Sequence, residues 1–330
     1  MSAPRVWVIS DGAAGNVRQA IALAPCLGEV TKTFALTLAA PWRWLAPRQL
    51  PMARAAFGAE FSAALAAGRP DIVVGCGRKA ALATRYLRQY GVRSVQILAP
   101  RISTHHWDVV VTPAHDGVSG DNVIHTLGSL HAVDATWLQQ ARRDWPQLGE
   151  LPGPRTAVLL GGPTKAVPLC AGDWQELVEI LKIWKARDGG SLLISSSRRT
   201  PDWLRQAARR DLTALFDLQW HDAADGANPY AGLLGWADRL LVSADSVNLL
   251  SEACATQVPV FARMPAQARG RIAEFHQGLL QRGRVTALTK AASISPAAVI
   301  PLRELADVAT AVRNKLGLPR NAQVIRNLCA

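Results

Sequence analysis

A doubly wound α/β fold in two domains is what this sequence predicts, and three observations carry the prediction. Short apolar runs rich in Val, Ile and Leu recur along the chain, each bounded by glycine, proline or small polar residues, as buried strands are. Segments long enough for a helix separate them, which gives strand–helix–strand units with parallel strands and right-handed crossovers. The glycine- and serine-bearing turns fall after the strands, at the carboxyl ends where open parallel sheets bind ligands.

Taken in order, residues 5–10 form a first strand, DGAAGN a turn, and 17–27 a helix. A second strand is expected over 33–38. Residues 40–54 carry Pro41, Pro47 and Pro51, too many for a helix, and too many aromatics for a plain linker. An alanine-rich helix follows at 55–67 and stops at Gly68. Strands at 71–75, 94–98, 109–112 and 123–127, with a helix at 80–90, complete a first domain of residues 1–150. The stretch WPQLGELPGPR (145–155) has linker composition. After it the rhythm restarts over residues 151–330: strand 157–160, turn GGPTK, helix 174–186, strand 191–195, SSRRTP, a further helix, and strand 215–220. The last helix, 302–316, is expected to cross back to the first domain.

The organising stretch of the second half is RLLVSADSVNLLSEACATQVPVFARMP (239–265). Leu240 to Val242 reads as a buried strand, Ser243 to Asn248 as a polar turn, 247–256 as a helix that Pro259 prevents from continuing, and 258–262 as the next strand. Helix N-termini at such a place present free N–H groups and the positive end of the dipole, which suits phosphates. Glu252 lies one turn into the helix, at a height that suits a ribose diol. Two readings stand: a nucleotide site, or Asp245 and Ser246 merely capping the helix with Glu252 solvated.

Composition narrows the partners. Hydrophobic residues make up 49% and charged residues 19%, a globular profile, while Lys+Arg 37 against Asp+Glu 25 gives net charge +12 and favours anionic partners. No zinc-type cysteine spacing, RNA-binding aromatic signature or lysine-rich tail points to nucleic acid. The five cysteines are scattered, as in a reducing compartment, and the N-terminus runs straight into a strand with no apolar leader, so a cytoplasmic protein is expected. No apolar run approaches the roughly 20 residues of a spanning helix. Trp42, Trp44, Leu45, Leu50 and Met52 alternate with Arg43, Arg48 and Arg54, a mixture suited either to an anionic membrane surface or to packing under the first sheet with the arginines solvated.

Three turns follow strands: Asp11–Asn16, Gly161–Lys165 and Ser195–Arg199. None is a full G-x-G-x-x-G fingerprint or a Walker A loop. Two carry cations, Lys165 and the Arg198–Arg199 pair, placed where a diphosphate could be held. No His-x-x-x-His or carboxylate cluster has metal spacing, the adjacent pair His105–His106 reads as loop, and no G-x-S-x-G elbow is present. No metal or resident cofactor is therefore expected.

The segment NPYAGLLGWADRLLVSADSVNLLSEACATQVPVFARMP (228–265) resembles the donor-nucleotide half of GT-B glycosyltransferases, particularly the peptidoglycan N-acetylglucosaminyltransferase, and DGAAGNVRQAIALA (11–24) and LLGGPTK resemble that enzyme's glycine loops. The chain is more similar still to the mitochondrial fission proteins of the Elm type, whose bacterial members carry SDG-x-x-G-N/H, SSRRTP and ADS-x-x-x-x-SEA. All are present, at Ser10–Asn16, Ser196–Pro201 and Ala244–Ala253.

The resemblance implies two Rossmann-like domains facing a cleft and a metal-independent transfer from a nucleotide-diphosphate sugar. Glu252 would hold the ribose; Gly162, Thr164, Lys165, Ser197, Arg198, Arg199, Asp245, Ser246, Asn248 and Ser251 would form the donor site. Gly12, Gly15 and Asn16 would form the acceptor-side loop. The peptidoglycan enzyme closes that loop with a His; Asn16 cannot take a proton, which leaves Asp11 or a histidine as the candidate base. A lipid-linked or membrane-surface acceptor, met peripherally at the inner face of the membrane, is the partner implied. A binding or recruiting protein that keeps this scaffold without the chemistry is the rival reading.

Overall fold

The computed structural model describes residues 2–264, 268–291 and 299–319. The elements run β1 (Arg5–Ser10), α1 (Ala14–Leu23), β2 (Glu29–Ala35), the one-turn α2 (Trp42–Leu45), α3 (Gly58–Ala67), β3 (Ile72–Cys76), α4 (Arg78–Arg88), β4 (Arg93–Ile97), β5 (Val109–Pro113) and β6 (Val123–Thr126). They continue with α5 (Ala135–Asp144), β7 (Arg155–Leu160), α6 (Ala171–Asp188), β8 (Ser191–Ser196), α7 (Asp202–Leu212), β9 (Leu218–Trp220), α8 (Tyr230–Trp236), β10 (Arg239–Val242), α9 (Val247–Cys254), β11 (Val260–Ala262), α10 (Arg271–Gln281), β12 (Thr286–Ala287) and α11 (Leu305–Lys315).

Two six-stranded sheets form, ordered β2-β1-β3-β4-β5-β6 and β12-β11-β10-β7-β8-β9. Every pairing in both is parallel. Parallel strands must be covered on both faces, so successive residues of one strand enter opposite cores. In β1, Val6 and Val8 pack with Leu23 and Val312, while Trp7 and Ile9 pack with Phe34 and Phe61. The Trp7, Phe34 and Phe61 rings meet edge-on, with centroids 5.2, 5.9 and 5.3 Å apart. In the second sheet Val158, Leu160, Leu192 and Ile194 pack beneath Trp174, Leu181 and Trp184 of α6.

The chain divides into one unit of Met1–Ala132 with Glu304–Ala330 and another of Val133–Arg303. The first division therefore lies between Ala132 and Val133 rather than at 150, because α5 packs on α8 in the second unit. Two glycines permit that contact: a Cβ on Gly232 would fall 2.6 Å from Trp145, and one on Gly235 would fall 3.3 Å from Arg142 and from the Leu138 carbonyl. Arg142 Nε donates to the Gly235 carbonyl at 2.6 Å. The proline-rich stretch after α5 is thus part of this helical pair, not a hinge. In the first unit α11 buries Val308, Ala309 and Val312. Glu304 accepts from the Leu127 and Gly128 amides at 2.8 and 3.0 Å, and the buried Arg313 donates to the Cys26 carbonyl at 2.9 Å.

The expected strand over 33–38 starts earlier, at Glu29, since β2 is an edge strand whose first residues are exposed and polar. The first helix begins at Ala14, which places Gly15 and Asn16 inside its first turn rather than in the preceding loop. A single helical turn does form at Trp42–Leu45, between Pro41 and Pro47.

Candidate functional site

In each sheet the strand order reverses at one point: between β1 and β3 in the first, between β7 and β10 in the second. Loops leaving the carboxyl ends of two such strands diverge to opposite faces and open a crevice.

At the second crevice β7 delivers Gly161 and Gly162. The Gly161 amide donates to Ser243 Oγ at 2.6 Å and the Gly162 amide to Asp245 Oδ2 at 2.9 Å, which joins this loop to the turn after β10. Glycine is required at both positions by space: a Cβ on Gly161 would lie 2.4 Å from the Asp245 carboxylate, and one on Gly162 would lie 2.1 Å from the Arg199 carbonyl oxygen. The loop after β8 closes the third side. Thr200 Oγ1 accepts from the Ser197 amide at 3.0 Å and donates to the Gly161 carbonyl at 2.6 Å. Arg199 Nη2 donates to Asp245 Oδ2 at 3.0 Å.

The two ends of that ion pair differ sharply, the Arg199 side chain being 54% exposed and that of Asp245 5%. Burial pushes the Asp245 carboxyl up from its ordinary value, against the pull of the Ser243 hydroxyl, the Gly162 amide and Arg199. A small hollow of about 40 Å³, lined mainly by apolar groups such as Pro163, Val167, Leu241 and Ala244, backs this carboxylate. Behind the same turn, His276 of α10 donates from Nε2 to the Ala244 carbonyl at 2.7 Å.

Ser246 does cap α9, accepting from the Leu249 amide at 3.4 Å. Glu252 is not solvated: it is buried and accepts from the Tyr230 hydroxyl. Ser251 is fully buried, so it supports α9 from within instead of lining the crevice. Thr164 is engaged in a tight turn, its Oγ1 accepting from the Val167 amide at 3.0 Å. Lys165, Arg198 and Arg199 are exposed, while Ser197 and Asn248 are half-buried at the rim. Sequence reasoning had no signal for the buried pair beside this loop, Ser196 Oγ and His221 Nδ1 at 2.7 Å. His221 Nε2 lies 3.1 Å from Gln219 Oε1, which fixes its proton on Nε2 and makes Nδ1 the acceptor of the Ser196 hydroxyl.

At the first crevice Asp11 organises its own loop. Its Oδ1 accepts from the Ala13 amide at 3.1 Å and from Asn16 Nδ2 at 3.0 Å. Gly12 has φ 81, a left-handed conformation that a side chain would strain. Gly77 after β3 lies against the same pair: a Cβ there would stand 2.6 Å from Asn16 Nδ2 and 3.2 Å from Asp11 Oδ2. Among the described residues Asp11 Oδ2 carries no hydrogen bond, and no group of three or more His, Cys, Asp or Glu is placed to hold a metal. No helix of the described residues is long and apolar enough to cross a membrane.

Burial lowers the pKa of His221 and of His276, so each stays neutral where an unfolded histidine, near 6.5, would protonate. The unfolded state then binds more protons as pH falls, and stability is lost from about pH 6.5 downward until the folded-state histidines protonate as well. The slope is at most about 1.4 kcal/mol per pH unit for each histidine. Asp245 acts in the opposite sense, since its raised pKa relieves a buried charge on acidification, but it is one group against two histidines. Melting temperatures measured between about pH 7.5 and 5.5 should therefore fall, and the slope should shrink in His276→Gln; a flat profile would contradict the assignment.

Residues 14–316 match the family model described as mitochondrial fission ELM1. The mitochondrial fission protein ELM1 of Arabidopsis thaliana is 31% identical over 75% of this chain, and the chain spans 64% of that relative's length. An uncharacterised protein of Rickettsia prowazekii is 25% identical over 79% of this chain and 83% of its own. Among solved structures, a UDP-GlcNAc 2-epimerase from Methanocaldococcus jannaschii superposes with TM-score 0.54 at 12% identity, covering 97% of this chain and 93% of the other. The same enzyme in complex with UDP-GlcNAc and UDP gives TM-score 0.50 at 14% identity over 96% and 94%.

Proposed function

The chain belongs to the mitochondrial fission ELM1 family, and from that premise and its GT-B-type pair of Rossmann-like units we propose that it is a metal-independent glycosyltransferase using a nucleoside-diphosphate sugar. The observation that carries this reading is the β7/β10 switch point, where a glycine pair, the N-terminus of α9 and Arg199, paired with Asp245, come together. The ligands held by the epimerase of the same fold support it by chemistry: a uridine diphosphate needs a diphosphate cradle and a ribose partner.

In this reading Glu252 takes the ribose hydroxyls, its carboxylate oriented by Tyr230. Gly162, Ser246 and Asn248 border the diphosphate, and Lys165, Arg198 and Arg199 neutralise the charge that grows on it as the glycosidic bond breaks. Arg199 is held over the crevice by Asp245 and can make a two-point contact there. Asp11, with Oδ2 unengaged among the described residues, receives or orients the acceptor hydroxyl. The acceptor is a lipid-linked or membrane-surface molecule. Exposed Trp44 at 61% and Met52 at 79% support peripheral attachment, Trp42 being packed against the core instead.

One observation favours the second reading, a binding or recruiting protein. Asn16 cannot carry a proton and Asp11 is bonded into its own loop, so the acceptor side holds no preformed base pair among the described residues. Calorimetry with UDP and UDP-GlcNAc tests the first requirement: Glu252→Ala should bind more weakly by about 1–3 kcal/mol, the cost of an unmade charged hydrogen bond. Equal affinity in parent and variant would remove the donor assignment. Release of UDP from the sugar nucleotide by the parent, lost in Asp11→Asn, would separate catalysis from the recruiting role; nucleotide binding without release would favour recruitment.

A further inference from the structure

At the amino end of the first unit's sheet, away from Asp11, the last turns of α4 and the starts of β4 and β5 surround an open hollow of about 380 Å³. Arg85, Arg88 and Arg93 line it together with Gln89, His106 and Asp108. The carboxylate is fully engaged. Asp108 Oδ2 accepts from the Ser94 amide and hydroxyl at 2.7 and 3.0 Å, and Oδ1 accepts from Arg88 Nε at 2.9 Å. Arg88 is also fixed through Nη1, which donates to the His105 carbonyl at 2.7 Å. Arg85 gives one bond, to the Pro47 carbonyl at 3.3 Å, and the Arg93 guanidinium has no hydrogen bond or ion pair among the described residues.

Three guanidinium groups against one carboxylate leave an excess of two positive charges around an open hollow. Cations at the C-terminus of α4 complement the helix dipole, which accounts for Arg85 and Arg88 but not for Arg93, which comes from a strand and points to the same place. Burial, then the neighbouring Arg85, lowers the pKa of His106, so its ring adds a neutral donor and not a fourth charge. Guanidinium forks placed around one space are suited to a tetrahedral oxyanion, which each can grip at two points.

We propose that this hollow is a binding site for a phosphate group, carried by a phosphomonoester or phosphodiester ligand and separate from the nucleotide site of the second unit. Its source is either a soluble phosphate compound or an anionic lipid headgroup. The segment that bears Trp44, Leu45 and Met52 borders the hollow, since Pro47 holds Arg85 and the Gln49 amide pairs with that of Gln89 at 3.0 Å.

Binding of inorganic pyrophosphate, by calorimetry, and of vesicles containing phosphatidylglycerol, by co-sedimentation, separates the two sources. The Arg85→Ala/Arg93→Ala double variant should bind whichever probe the parent binds at least about tenfold more weakly. Lys32→Ala/Arg101→Ala, which removes the same charge from two exposed positions of the same unit, should bind like the parent. Melting temperatures identify a variant that has failed to fold, and Arg93→Ala alone, which breaks no side-chain bond among the described residues, then serves in its place. Pyrophosphate binding that the Arg85→Ala/Arg93→Ala variant loses indicates a soluble ligand of the hollow, and vesicle binding that it loses a headgroup. The proposal is overturned if the parent binds neither probe, if Arg85→Ala/Arg93→Ala binds as the parent does, which places the probe elsewhere, or if both double variants lose affinity equally, which is plain attraction to net charge +12.

Discussion

Asp188→Ala should destabilise the protein by about 3 kcal/mol, near the lower end of the range for breaking a buried ion pair. Arg239, the first residue of β10, is fully buried. Its guanidinium lies over the Trp184 ring, 4.3 Å from the centroid; Nη1 donates to Asp188 Oδ2 at 2.5 Å and Nε to Thr156 Oγ1 at 2.6 Å. Nη2 is buried with no hydrogen-bond partner among the described residues, and Asp188 is the acid paired with this charge, Asp238 adding a weaker attraction without a bond. The Asp188 side chain is 19% exposed, and water entering the vacated space moderates the loss. Hydrogen bonding from Arg187 and then from Arg239 holds the Asp188 carboxyl at about 2, so the pairing persists to strongly acid pH. Arg239→Met removes the charge together with its need for a partner and should cost less. Urea unfolding of both variants decides the matter, and a loss below about 1 kcal/mol in Asp188→Ala would show that solvent already supplies the compensation. Because β10 carries the Ser243–Ser246 turn, the same variant should loosen the crevice.

Gly162→Val should have the largest effect on the site. The added carbon would stand 2.1 Å from the Arg199 carbonyl oxygen, a backbone atom that cannot rotate away. The loops after β7 and β8 would have to part, which would pull Gly162 from Asp245 and Thr200 from Gly161. Overpacking of this kind costs about 1–3 kcal/mol, and a displacement of about 1 Å in a positioned site costs on the order of a hundredfold. Gly172→Ala is the control, its new carbon meeting only Cys170 Sγ at 3.7 Å inside α6, where alanine is the better helix former. Thermal melts together with UDP calorimetry test both. Unchanged melting and affinity in Gly162→Val would mean that the loops do not pack as described.

The parallel sheets were legible because their strands are buried on both faces and so read as unbroken apolar runs, as in VWVIS, IVVG and VLL. Edge strand β2 was misplaced for the complementary reason, that its exposed start looks like any polar segment. The unit boundary was misread because proline and glycine at 146–154 signalled a linker, whereas the crossing at Ala132 has no unusual composition; only the close approach of Gly232 and Gly235 to α5 reveals it. Each wall of the crevice could be assigned to a strand end. What joins them could not, since the Asp245–Arg199 and Asp245–Gly162 bonds depend on the order β10-β7-β8 in space. Tyr230 on Glu252 and His221 on Ser196 are single residues with no periodicity, distant in sequence from their partners.

The return of α11 to the first sheet makes that unit discontinuous, with Val133–Arg303 inserted between its two parts. Synthesis runs from the N-terminus, so the ribosome finishes the inserted unit before the helix that seals Val8, Leu23 and Val74 has been made. The half of the protein that begins first is therefore completed last. Until Leu305–Lys315 emerges, the part of that face which α1 does not cover stays open to water.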